Sequence, residues 1–387
     1  MELLLPNSLF FMLYFNKPYL TGNEIKYIQE AIIKQTSGNG FFTNKCHQYF
    51  QEKYGFKKVL LTTSCTDALE MAAILINIHP GDEVIIPSYT YVSTANPFVL
   101  RGAKIVFADS SPNHPNIDVD SIELLISPRT KALVIVHYAG MACNMDKLNK
   151  IVEKYNIFLI EDAAQAINSY YKNRPLGTFG NLSCFSFHET KNITSGEGGL
   201  LVINDEKLLK RAEIIWDKGT TRASFLRGEI DKYTWVDVGS SYSPSEMIAA
   251  FLLAQLESLM DIQKRRNYLW EKYYCNLQSY SNNDSFGLPQ IPKYATHNAH
   301  IFYITCKNAS TRNNLIHFLK EKNIQASFHY LSLHKSKFYS ERHDCRILVN
   351  ADFYTNCLLR LPLYIELTDQ EINFVTDSII EYYSLSN

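Results

Sequence analysis

The feature that most restricts this chain is a unit that recurs through its first half. Short apolar, β-prone runs occupy residues 59–62, 83–87, 104–109, 131–136, 158–162 and 182–187, and helical stretches fall between them, as at 63–73, 118–126 and 145–155. Strand-then-helix repeats of this kind build a mostly parallel sheet with helices on both faces. A chain of 387 residues is long for one core, which predicts a large domain and a smaller one. Two helices, opening near Glu24 and at Asn44, precede the first strand, and Gly38 and Gly40 break the chain between them. A long helix over 247–277 is expected, then a polar loop at 279–285. Beyond it come a strand at 299–304, a helix at 311–323, a strand at 325–330 and a last helix at 369–383. The expected division is an N-terminal extension at 1–14, a large domain at 15–260 and a small α+β domain at 261–387.

Composition narrows the function. The net charge of −1 offers no basic footprint, so nucleic acid is not an expected partner. The 25 tyrosines and 22 phenylalanines are numerous enough that some must cover a pocket or a subunit interface. The eight cysteines form no Cys-x-x-Cys pair and no His-x-x-x-His accompanies them, so no metal is expected. Several lie in apolar runs, as reduced thiols of a cytoplasmic protein do. The apolar residues of 1–13 are interrupted by Pro6, Asn7 and Ser8, and are too short to span a bilayer. They read as an extension, and no membrane partner is expected.

Three segments carry chemistry. At residues 182–199 an apolar strand ends in a polar turn bearing Lys191, followed by Gly196, Glu197, Gly198 and Gly199 and a second strand. Alone, Lys191 reads as a solvated loop charge. The turn Ser64-Cys65-Thr66-Asp67 joins a strand to an alanine-rich helix. It is either a Ser/Thr helix cap or a phosphate site made of free helix N–H groups. Asp162 closes a buried strand, where a carboxylate is costly unless it caps the next helix or pairs with a cation.

Taken together, the stretch Ser186-Phe187-His188-Glu189-Thr190-Lys191-Asn192 with its glycine-rich sequel, the 64–67 turn, Tyr91 and Asp162-Ala163-Ala164-Gln165 resemble the DegT/StrS-type sugar-nucleotide aminotransferases. Among them the chain is most similar to the dTDP-4-amino-4,6-dideoxygalactose transaminases. The resemblance runs from about residue 15 to 383 and implies the type I fold of enzymes that use pyridoxal 5′-phosphate. It implies that Lys191 holds the cofactor and then moves the proton as general base and acid. Thr66 and Asp67 would supply amides to the phosphate, with the Ser186 hydroxyl assisting. Tyr91 would stack on the ring, Asp162 would keep the ring nitrogen protonated, and Gln165 would contact the ring hydroxyl.

Cys65 and Asp67 depart from the family's usual Ser-Gly-Thr-Ala, and Ser243 stands where many relatives have an asparagine that reaches the partner subunit's phosphate. His188, Arg222, Arg227, His329 and His334 are the candidates for substrate contacts. On residues alone the two arginines read as solvated loop charges, and His329 and His334 as neutral core histidines. The implied reaction moves an amino group from glutamate to C4 of dTDP-4-keto-6-deoxyglucose, for surface polysaccharide such as lipopolysaccharide or enterobacterial common antigen. A homodimer with active sites at the interface is implied too. The equatorial C4 epimer and a C3 transaminase are the nearest alternatives. A cofactor-binding regulator without turnover is the alternative of another class, and the absent Gly-x-Gly-x-x-Gly argues against an NAD oxidoreductase.

Overall fold

The computed structural model describes residues 12–281 and 285–385. Residues 1–11 of the expected extension and residues 282–284 of the expected loop lie outside the described residues. In chain order the elements begin α1 (Glu24–Lys34), α2 (Phe41–Tyr54), β1 (Lys58–Thr62), α3 (Cys65–Leu75), β2 (Glu83–Pro87), α4 (Asn96–Leu100), β3 (Lys104–Ala108), β4 (Thr130–Val136) and α5 (Met145–Tyr155). They continue with β5 (Phe158–Asp162), a small hairpin of β6 (Tyr170–Tyr171) and β7 (Arg174–Pro175), β8 (Leu182–Ser186), β9 (Gly199–Ile203), α6 (Leu209–Trp216) and α7 (Arg222–Leu226). The last group is α8 (Glu246–Glu257), α9 (Leu259–Leu277), β10 (Phe286–Gly287), β11 (Phe302–Cys306), α10 (Ala309–Glu321), β12 (Ser327–Phe328), α11 (Val349–Cys357), β13 (Leu358–Leu361) and α12 (Asp369–Leu385).

Seven strands form the central sheet in the order β1-β9-β8-β5-β4-β2-β3. The pairs from β8 to β3 are parallel, and β9 runs antiparallel to both β8 and β1, so six strands point one way. The apolar runs now have their reason, since both faces are buried. Leu60, Val84, Ile160 and Leu182 belong to the core on one face, and Leu61, Ile85, Leu159 and Phe185 to the core on the other. A four-stranded antiparallel sheet, β10-β11-β13-β12, forms around a third core with α9, α10 and α12.

Several expectations shift. The single helix over 247–277 is two, α8 and α9, divided at Ser258, whose amide donates to the Gln255 carbonyl at 3.2 Å in a tight turn. Helix α8 then buries its stripe in the core of the central sheet, joined by Leu259 and Ile262 at the start of α9, and the rest of α9 packs in the core of the second sheet. The strand expected at 299–304 begins only at Phe302, because Ala299 is left-handed with φ of 49°. Only Ser327 and Phe328 of the 325–330 run pair, along the edge of β13. The 118–126 segment is a 3₁₀ helix, Val119–Leu125, rather than an α-helix. Leu13, expected in the extension, is buried in the third core, and its amide and carbonyl bond to Asn323 and Gln325. On α1 the isoleucine spacing makes a helix, yet Ile25, Ile32 and Ile33 lie exposed on the single chain.

Candidate active site

A cavity of about 510 Å³ opens at the carboxyl ends of β4, β5 and β8. That is where ligands sit in such sheets. Ser64, Cys65 and Thr66 line it from the turn after β1, Tyr91 from the turn after β2, Asp162 and Gln165 from the end of β5 and the turn after it, and Ser186, His188 and Lys191 from β8 and its turn. The second half of the chain adds His300, His329, Tyr330 and Arg360.

Asp162 is 5% exposed and accepts two hydrogen bonds, from Thr94 Oγ1 at 2.7 Å and the Ala164 amide at 3.2 Å. Burial pushes its carboxyl pKa up, and the bonds from Thr94 and Ala164 pull it back only in part. Burial pushes the Lys191 amine down, with nearby Arg360 adding to the effect. The Lys191 Nζ has no hydrogen bond or ion pair among the described residues, so an amine without a partner lines the cavity. The turn that presents it is closed by the Lys191 amide, which donates to the His188 carbonyl at 2.9 Å.

The 64–67 turn is a capped helix start. Ser64 Oγ accepts from the Asp67 amide at 3.1 Å, as N-cap residues do. Of the two amides expected at a phosphate, Thr66 and Asp67, that of Asp67 is thereby engaged within the turn. The Asp67 amide is already used, while those of Cys65 and Thr66 find no acceptor among the described residues. The Asp67 carboxylate accepts from the Thr63 hydroxyl and does not line the cavity. Beneath the turn lies Gly199, where a Cβ would come within 2.5 Å of the Cys65 nitrogen. A larger residue would push β9 away from the cup.

Pyridoxal phosphate fits this donor set. Two free amides at a helix start suit a phosphate. The Ser186 side chain lines the same cavity, and its oxygen accepts only a long 3.4 Å contact from the His188 amide. A buried carboxylate short of partners suits a protonated ring nitrogen, and an unpaired lysine completes the set.

Of the remaining candidates, Gln165 faces the cavity with its Oε1 held by the Ala139 amide at 2.7 Å and its Nε2 donating to Tyr330 Oη at 2.9 Å. Tyr91 lies at the cavity, 58% exposed. His188 is at its edge with Nδ1 3.0 Å from Thr190 Oγ1, and His329 contacts Tyr138 Oη at 3.0 Å. Burial holds His329 well below the usual imidazole range, so it is neutral.

Four residues singled out in the sequence fall elsewhere. His334 is buried, with Nδ1 2.7 Å from Ser88 Oγ, and ties the turn after β2 to the second half of the chain rather than bordering the cavity. Arg222 pairs with Asp217, and Arg227 with Glu213 and Glu229, outside this chain's cavity. Ser243 lies against Gly38 and is likewise absent from its lining. Sequence reasoning missed Thr94, His300, Tyr330 and Arg360. The signal for Arg360 was a charge within the apolar run 358–363, the same rule that drew attention to Asp162.

Residues 18–380 match the DegT/DnrJ/EryC1/StrS aminotransferase family. The spore coat polysaccharide biosynthesis protein SpsC of Bacillus subtilis (strain 168) is 32% identical over 375 residues, covering 94% of this chain and 95% of SpsC. The aminotransferase TlmJ from Streptoalloteichus hindustanus superposes with a TM-score of 0.89 at 26% identity, covering 97% of this chain and 100% of TlmJ. Spr1654 from Streptococcus pneumoniae, described as a sugar aminotransferase in PMP and PLP forms, shares the fold at 23% identity, with TM-scores of 0.89 and 0.88 and coverage of 97% and 100%. The chain is a pyridoxal-phosphate-dependent enzyme of the DegT/DnrJ/EryC1/StrS aminotransferase family.

Proposed function

We propose that this enzyme transfers the amino group of glutamate to C4 of dTDP-4-keto-6-deoxyglucose, giving dTDP-4-amino-4,6-dideoxygalactose for a cytoplasmic stage of surface polysaccharide synthesis. The observation that carries the reading is one cavity gathering an unpaired lysine whose burial lowers its pKa, a carboxylate short of partners and a helix start with free amides. When bound, pyridoxal phosphate supplies an electron sink that makes the α-proton of an amino acid acidic. The chain does the rest. The Cys65 and Thr66 amides would hold the phosphate, and Asp162 would keep the ring nitrogen protonated. Gln165, fixed from both ends, would contact the ring hydroxyl, and Tyr91 would stack on the ring.

Lys191 takes the α-proton as a free base, which its burial favours, and returns it as an acid on the opposite side of the exchange. His188 and His329 border the sugar. The choice of sugar rests on the motifs around Lys191, and the SpsC likeness supports a polysaccharide route.

A homodimer is part of the proposal. Ile25, Ile32 and Ile33 on α1 and Trp235, Val236 and Val238 after α7 are exposed apolar side chains of the sort a subunit interface covers. Arg222 and Arg227, in the same excursion, would then reach the neighbouring cavity. Sedimentation of the purified enzyme checks the dimer.

Lys191→Ala tests the chemistry. The visible absorbance of lysine-bound cofactor should vanish and turnover should fall by at least about 10⁴-fold. Retained turnover refutes the mechanism. NMR of the amino sugar formed from glutamate and the keto sugar decides C4 against C3 and axial against equatorial.

A further inference from the structure

Arg360 stands inside β13, opposite Tyr303 of β11 and Ser327 of β12, and is 9% exposed. Two other buried arginines show what a structural guanidinium looks like here. Arg266 donates to the carbonyls of Ala299 at 3.0 Å and His300 at 2.8 Å. Arg312 bonds to Asn313 Oδ1 at 2.8 Å and to the Thr355 carbonyl at 3.4 Å. Arg360 has no such partners. Its Nε is buried without a hydrogen bond, and no carboxylate among the described residues pairs with it. Its guanidinium carbon lies 4.2 Å from the centroid of the Phe15 ring.

A cation taken out of water and left unpaired is costly. Arg360 lines the cavity of Lys191 and Asp162, so an anion entering that cavity removes the cost. We propose that Arg360 binds the α-carboxylate of the amino-acid donor and so aims its α-hydrogen at Lys191. This rests on the transaminase reading, though not on the identity of the sugar.

Two anions visit such a site, and their chemistry separates them. In an amino acid the carboxylate is one bond from the carbon that loses its proton. In a nucleotide-linked hexose the diphosphate hangs from C1, across the ring from C4, so it lies toward the mouth when C4 meets Lys191. A guanidinium in the wall beside Lys191 suits the first. Its planar fork matches a carboxylate with two parallel bonds. Burial keeps neighbouring His300 and His329 neutral, so neither competes for the carboxylate as a cation.

The test measures the two half-reactions of the holoenzyme separately, by cofactor absorbance, in wild type, Arg360→Gln and Arg360→Lys. In Arg360→Gln the apparent Kd for glutamate and for 2-oxoglutarate should rise about 100-fold. The step between amine-loaded enzyme and nucleotide keto sugar should change less than about threefold, and Arg360→Lys should recover part of the loss. Calorimetry of cofactor-free protein with glutarate, which has carboxylates and no amine, should show binding in wild type and none in Arg360→Gln. Loss confined to the keto-sugar step overturns the proposal in favour of the diphosphate. Equal loss in both steps, or no recovery in Arg360→Lys, overturns it in favour of a structural role. If wild type shows no absorbance change with glutamate, the transaminase reading itself has failed.

Discussion

Glu161 and Asp162 are neighbours on β5, equally hidden from water, and they point to opposite faces of the sheet. Glu161 is saturated. Its Oε1 accepts from the amides of Phe179 and Gly180 and from Ser183 Oγ, and its Oε2 from the Gly177 amide and His137 Nε2, all between 2.7 and 3.0 Å. The Cys143 amide donates to His137 Nδ1, which leaves the ring proton on Nε2. Asp162 accepts two bonds and turns the rest of its carboxylate to the cavity. Burial works against ionisation at both. At Glu161 the His137 bond and the Gly180 and Gly177 amides outweigh it and hold the carboxyl below its usual range, whereas at Asp162 burial wins. A buried charge whose partners are complete belongs to the fold, and one left short of partners is waiting for a ligand.

The largest break in this comparison is kinetic. Asp162→Asn should keep cofactor bound while slowing the glutamate half-reaction about 10³-fold, because an uncharged ring is a poor electron sink. Near-normal rates, read by stopped-flow absorbance, would mean the ring nitrogen has another partner. Glu161→Gln should behave in the opposite way. Its amide nitrogen would face donors, stranding at least two of them, so unfolding in denaturant should show a loss of about 3–5 kcal/mol. The folded fraction should turn over at close to the wild-type rate. A kinetic defect in that fraction would show that the loop around Gly177–Gly180 also sets the position of Asp162.

These neighbours also mark how far the sequence reaches. The strand carrying both was legible because five residues from Phe158 end a βα repeat, and Asp162 stood out as a charge at a buried strand's end. Lys191, which alone reads as a solvated loop charge, stood out only together with the 64–67 turn, Asp162 and the family resemblance. Glu161 went unremarked, since its partners come from residues 177–183 and from His137, and no local pattern announces such a convergence. Tyr330 was hidden for the same reason, and Arg360, though marked by its charge within an apolar run, reaches the cavity only once the second sheet docks. The engagement of the Asp67 amide was not legible, because a cap is fixed by which hydroxyl takes which amide, and Ser64 takes that of Asp67. The break at Ser258 was invisible because a run of good helix formers continues across it.

The smallest effect sharpens the comparison most, for the two carboxylates should give pH slopes of opposite sign. Glu161 has a lowered folded pKa, so the stability it contributes is present above the ordinary carboxylate value and fades as pH falls through the lowered one. Asp162 has a raised folded pKa, so its contribution is full below the ordinary value and is lost as pH rises through the raised one. In cofactor-free protein at neutral pH, Asp162→Asn should therefore be the more stable form by about 1 kcal/mol, an advantage that disappears on acidification. The Glu161→Gln penalty should shrink over a lower pH range. Saturating pyridoxal phosphate should reverse the order for Asp162, because the ring nitrogen provides the missing cation, and leave the order for Glu161 unchanged. Thermal melts of the three proteins from pH 4 upward, with and without cofactor, measure all of this. A cofactor-free Asp162→Asn less stable than wild type at neutral pH would mean that the cavity already satisfies this carboxylate, and that the distinction drawn between the two acids is wrong.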